Sequence, residues 1–194
     1  VAGSSSVSLQ ANGKNYDAAA PAQYFPGVSG SSTIRLHAIT NPLGTPSLST
    51  YNLTVSGFSY PPDAAQLGTS NQADTVDWRI KNSVYRDGSL WICHTIGQNS
   101  TARVRWYEVN MRGWPTSGLS PQLAQSGTLN YGTGEHNWFP DIHVDDYGNA
   151  VLVFNRSSSS QYISIQRAIR RYTDPAGTFQ APVTLQVSTS PEEG

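Results

Sequence analysis

Two short segments, SLWICHTI (89–96) and AVLVF (150–154), are apolar at consecutive positions. Side chains alternate across a β-strand, so Leu90 and Ile92 face one way while Trp91 and Cys93 face the other. Val151 and Val153 likewise oppose Leu152 and Phe154. A strand apolar on both faces needs cover on both faces. A two-sheet sandwich leaves one wet face on nearly every strand, and these segments lack one.

The surroundings of both segments repeat. NSVYRDGSLWICHTIG (82–97) leads into TARVRWYEVN (101–110), and PDIHVDDYGNAVLVFNRSS (140–158) leads into QYISIQRAIRRY (161–172). Each copy reads as a short strand, an Asp/Gly turn, a strongly apolar strand, a small polar loop and a strand with alternating charge. Aligning Ser83 with Asp141 gives an offset of 141 − 83 = 58 residues. TIRLHAIT (33–40), with Ile34, Leu36 and Ala38 on one face, and LSTYNLTVSGF (48–58) form a poorer third copy. QSGTLNY (125–131) and APVTLQV (181–187) supply later strands, and one helical turn is expected at Asp63–Leu67. In the second long strands, Arg103 and Arg105 interleave with Val104 and Trp106, and Ile163, Ile165 and Ile169 alternate with Ser164, Gln166, Ala168 and Arg170. These strands are therefore expected to be wetter than the first ones.

Buried inner strands with progressively wetter outer ones are what radially packed blades require. The expected fold is all-β and β-propeller-type. Residues 1–30 read as an extended arm or loops, 31–74 as a partial blade, 75–133 as a blade and 134–190 as another. About three blades do not close a ring, since propellers typically have at least four. The ring is therefore expected to be completed by another polypeptide or by an N-terminal half of the same precursor.

Composition narrows the setting. Only 13% of residues are charged, net charge is −1, and Lys14 and Lys81 are the only lysines, so no basic patch offers itself to nucleic acid. No apolar run approaches the roughly 20 residues of a membrane helix. The single cysteine, Cys93, excludes an intrachain disulfide and reads as a small buried residue. Abundant Ser, Thr and Asn lean towards a secreted or cell-surface setting.

Taken together, NSVYRDGSLWICHT, ARVRWYEVN, QSGTLNYGTGEHNWFPDIHVDDYGNAVLVFNRSSSSQY and TDPAGTF resemble the C-terminal part of a group of large secreted bacterial β-propeller proteins, sialidase-like in fold. The resemblance spans about residues 24 to 188 and implies further blades outside this chain. It brings no established activity. In that group the positions of Asp141 and His143 usually carry small residues. The sialidase Asp-box, a structural turn motif there, survives only in worn form at Asp146-Tyr147-Gly148 and at Asp87-Gly88 with Trp91.

Candidate chemistry gathers around HNWFPDIHVDDYG. Asp141, His143 and Asp145 alternate on one strand, with His136 close by, and could ligate a divalent cation. The competing reading is a plain β-turn at Asp145–Asn149 plus polar lining of a channel. Trp138 and Phe139 at a strand entry, Trp114 in a loop, and Asp141, His143 and Arg86 form a candidate binding site for a glycan or protein. Alternatively, Trp138 and Phe139 fill gaps between blades. Sialidase chemistry needs an arginine cluster and a Tyr–Glu pair. Tyr107 and Glu108 are adjacent in sequence and so face opposite ways, and Arg86, Arg103, Arg105 and Arg156 sit in no site motif. No cofactor motif and no G-x-S-x-G element occur. The expected role is a non-enzymatic extracellular module for surface structure, adhesion or glycan or protein binding. A sialidase-like glycoside hydrolase with catalytic residues partly on absent blades is the alternative, and a two-sheet shell subunit a third.

Overall fold

The computed structural model describes residues 20–192. Among them the chain is all-β, with eleven strands and no helix. Three antiparallel sheets follow one another along the chain, each joining strands in sequence order. The first holds β1 (Gln23–Val28), β2 (Thr33–Thr40) and β3 (Ser47–Thr54). The second holds β4 (Ile80–Arg86), β5 (Ser89–Gln98), β6 (Thr101–Asn110) and β7 (Gln122–Thr128). The third holds β8 (His136–Val144), β9 (Ala150–Ser158), β10 (Gln161–Arg170) and β11 (Val183–Val187).

Local chemistry sets the turns. Asp87 and Gly88 take φ of 46° and 77° between β4 and β5. Asn99 and Ser100 take 52° and 60° between β5 and β6. Paired positive φ is the two-residue hairpin whose twist suits right-handed strands. Between β8 and β9, the Asp145 carboxylate accepts from the amides of Tyr147 and Asn149, each at 2.9 Å, and from Asn149 Nδ2 at 2.8 Å.

The second sheet lies between the other two. One core joins Tyr24, Ile34, Leu36 and Ala38 of the first sheet to Leu90, Ile92, Tyr107 and Val109. The other joins Trp91, Cys93, Val104 and Trp106 to Ile142, Leu152, Phe154 and Ala168 of the third. Thus β5 is covered on both faces, as its composition requires. Each fully buried Leu or Ile contributes about 2 kcal/mol through removal from water.

Several expectations give way. Residues 23–28, read as arm or loop, are strand β1, because Tyr24 inserts into the first core and its hydroxyl donates to the Trp114 carbonyl at 2.6 Å. The earlier residues 1–19 of that arm lie outside the described ones. The helical turn at Asp63–Leu67 is absent, and Ala64 instead bridges Ala73. β6 is not wetter than β5, since Arg103 and Arg105 are buried. Loop carbonyls accept in place of part of the water they lose: Arg105 Nη1 donates to Ser56 O and Gly57 O at 2.9 and 3.1 Å, and Arg103 Nη2 to Gly132 O at 3.0 Å.

β9 departs the other way. Leu152 and Phe154 are buried against the second sheet, but Val151 and Val153 are only half-buried. In β10 the inward face is the polar one, Ser164, Gln166, Ala168 and Arg170, while Ile165 faces out at 42% exposure. Inside, Gln166 Nε2 donates to Ser164 Oγ at 2.8 Å and to Thr184 Oγ1 at 3.0 Å, so the buried Gln166 and Ser164 are hydrogen-bonded to each other.

The repeat offset also shifts by one. Ser83 pairs with Ile92, which faces the preceding sheet, and Ile142 pairs with Leu152, which does the same. Ser83 therefore corresponds to Ile142, an offset of 142 − 83 = 59.

Candidate functional site

The residues singled out around β8 separate. Trp138 is 1% exposed and packs with Ala64, Ala73 and Ala102, the gap-filling of the two readings. Phe139 sits at a bulge with φ of 50°, its amide donating to Thr95 Oγ1 at 3.1 Å, and Lys81 Nζ lies 5.3 Å from its half-exposed ring. Trp114 is buried against Tyr24 and Tyr51, so it is core rather than rim.

Asp141 and His143 are exposed, opposite Val153 and Val151 on the face of the third sheet turned away from the second. Asp141 accepts from Asn82 Nδ2, which ties β4 to β8. Asp145 is committed to its turn, and hydrogen bonds from Asn149 lead the causes that lower its pKa. Among the described residues no group of three or more His, Cys, Asp or Glu could hold a metal ion, so the Asp141–His143–Asp145 alternation does not gather into one. His136 is buried, its Nδ1 accepting from the Ala102 amide at 3.2 Å, and burial first of all lowers its pKa.

Arg86 lies elsewhere, in a cleft of about 230 Å³ between the second and third sheets, at the end carrying the β4–β5 and β8–β9 turns. One wall is a single cross-strand row, Trp91 on β5, Glu108 on β6 and Gln125 on β7. The other is Val144 and Arg170, both paired with Ala150. Glu108 accepts from Ser89 Oγ at 3.0 Å and from Gln125 Nε2 at 2.5 Å. Gln125 Oε1 in turn accepts from Arg170 Nη2 at 3.1 Å and from the Gly177 amide at 2.9 Å. Arg170 is 4% exposed, and its Nε is buried without a partner. Arg86 pairs with Asp146 across the opening, where Tyr147 and Tyr172 stand largely exposed.

Of this cleft the sequence offers Arg86 as a ligand contact, Glu108 only as half of a Tyr–Glu pair whose members face apart, and Asp87, Trp91, Asp146, Tyr147 and Gly148 only as worn turn motifs. Glu108, Gln125 and Arg170 meet through strand register, which single-sequence alternation does not give. Their one signal is a polar residue at an inward position of a strand that must be covered.

Tyr107 and Glu108 do face opposite ways. The Tyr107 hydroxyl meets His94 Nε2 at 3.0 Å in the first core, and Glu108 lines the cleft. Arg156 pairs with Glu135 at 2.6 Å, away from the cleft. No protein-family model, curated protein or solved structure matches this chain.

Proposed function

We propose that the chain is a three-blade segment of an extracellular β-propeller, with a non-enzymatic role in surface structure or adhesion, and that it assembles with at least one further β-sheet. One observation carries this reading. The face of the second sheet bearing Trp91, Cys93, Val104 and Trp106 is covered by the third sheet. The corresponding face of the third sheet bears Val151, Val153, Ile165 and Ile169 and is covered by nothing among the described residues. Val183 and Leu185 of the edge strand β11 extend the exposed apolar area. In a radially repeated fold that face takes the next blade. Low charge, scarce lysine and the resemblance to secreted propeller proteins support the extracellular setting.

Native mass spectrometry of the purified protein tests the assembly. The expected particle is heavier than one 21.0 kDa chain. Ile165→Lys is expected to return it to single-chain mass with the chain still folded, since Ile165 touches water already. A single-chain particle at high concentration, unchanged by Ile165→Lys, would refute the reading. Turnover of a fluorogenic sialoside would refute its non-enzymatic part.

A further inference from the structure

The cleft between the second and third sheets has a chemistry of its own, complete within this chain and independent of any added blade. We propose that it binds a neutral, hydroxyl-rich ligand the size of one sugar ring.

Charge comes first. Arg86 and Arg170 bring two positive charges, and Asp87, Glu108 and Asp146 bring three negative ones, 2 − 3 = −1. Arg86 and Asp146 largely cancel each other at the mouth. An anionic ligand would meet Glu108 with no surplus positive charge to offset it. A purely apolar ligand would strand Glu108, a carboxylate lining the cleft, away from water, a costly arrangement.

Hydroxyl groups fit both demands. A carboxylate has about four lone-pair positions, and Ser89 and Gln125 each occupy one of those on Glu108, leaving it able to accept from a ligand hydroxyl. Arg170 also lines the cleft, and its Nη1 makes one hydrogen bond, to the Arg171 carbonyl, so a second N–H there can donate to a neighbouring hydroxyl oxygen. Adjacent hydroxyls that donate to one group and accept from the other are the pattern of a sugar ring. The wall groups are already fixed: Gln125 holds both Glu108 and Arg170, so little ordering is left for binding to bring about. Tyr147 and Tyr172 place aromatic surface at the opening, suited to the C–H face of a ring. The volume lies below the roughly 300 to 1,000 Å³ of sites for drug-sized ligands, which favours one ring over an oligosaccharide.

Saturation-transfer NMR and calorimetry on the intact protein, with glucose, galactose and mannose in one arm and glucuronate and N-acetylneuraminate in the other, test the proposal. At least one neutral hexose is expected to bind with a millimolar Kd, and the two acids more weakly. Glu108→Gln keeps the shape and removes the charge, and is expected to weaken binding about tenfold, as for loss of a charge-assisted hydrogen bond. Tyr172→Ala lies at the exposed mouth, outside the core, and is expected to weaken binding roughly threefold with an unchanged melting temperature. Absence of binding by all three neutral sugars would overturn the proposal, as would tighter binding of an acid. Binding that neither variant alters would place the ligand elsewhere and overturn it equally.

Discussion

His94 shows how far a single residue can be tied to its surroundings. Its Nδ1 lies 2.8 Å from the Trp78 carbonyl, which can only accept, so Nδ1 carries the proton. In the neutral ring Nε2 then accepts from the Tyr107 hydroxyl at 3.0 Å. Burial pushes its pKa down to about 4, and the Arg105 and Lys81 charges act in the same direction. The unfolded chain binds this proton near pH 6.5 and the folded chain only near pH 4. Stability from neutral His94 is therefore complete above pH 6.5 and falls as the pH drops from 6.5 to 4. The loss is about 3 kcal/mol. Urea unfolding at pH 7.0 and pH 4.5 should show it, and His94→Asn should shrink the difference. Asp145 and Asp174, whose pKa values are lowered below the ordinary 3.8, act only at lower pH, while His136 and His37, whose pKa values burial also lowers, add to the loss in the same window. Equal stability at both pH values in the unmodified protein would contradict the buried neutral imidazole. The sequence announces none of this. His94 sits in an apolar strand without a charged neighbour in alternation, and its partners Trp78 and Tyr107 reach it only once β5 has paired with β4 and with β6.

Strands were legible where composition and period agreed. TIRLHAIT is β2 from first residue to last, with Ile34, Leu36 and Ala38 inward. β5 needed cover on both faces and has it. β10 shows why the rest was hidden: its isoleucines suggest an apolar core face, yet Ser164, Gln166 and Arg170 take the inside because partners wait for them there. β6 hid its arginines for the same reason, since the loop carbonyls that receive Arg105 lie some fifty residues upstream. Contacts between sheets can also be tight enough to dictate a residue. Gly127 on β7 pairs with Trp106, and a methyl group there would collide with the Gly177 carbonyl oxygen and lie 2.6 Å from Trp106 Nε1. Gly127→Ala should cost about 1 to 3 kcal/mol by overpacking. Calorimetry should record a melting temperature lower by roughly 5 °C. An unchanged melting temperature would mean that the β10–β11 loop carrying Gly177 yields freely.

At the scale of the molecule, three sheets form a stack whose middle member is sealed and whose last member ends on Val151, Val153, Ile165 and Ile169. The candidate cleft belongs to the same interface that seals the middle sheet, so separating the second and third sheets would dismantle the proposed sugar site along with the core. That interface also contains the only thiol of the chain. Cys93 lies 3.6 Å from the Pro140 carbonyl oxygen and 3.8 Å from that of Asn82, and burial pushes its pKa up. A disulfide-exchange reagent can reach it only when the two layers part. Its reaction rate is thus a clock for that parting. At pH 8 without denaturant, labelling should take hours rather than seconds, and its dependence on urea should match the slope of global unfolding if the layers separate only as the whole chain opens. A shallower slope would reveal a partial opening at this one seam, and immediate labelling would mean that the seam is not closed at all.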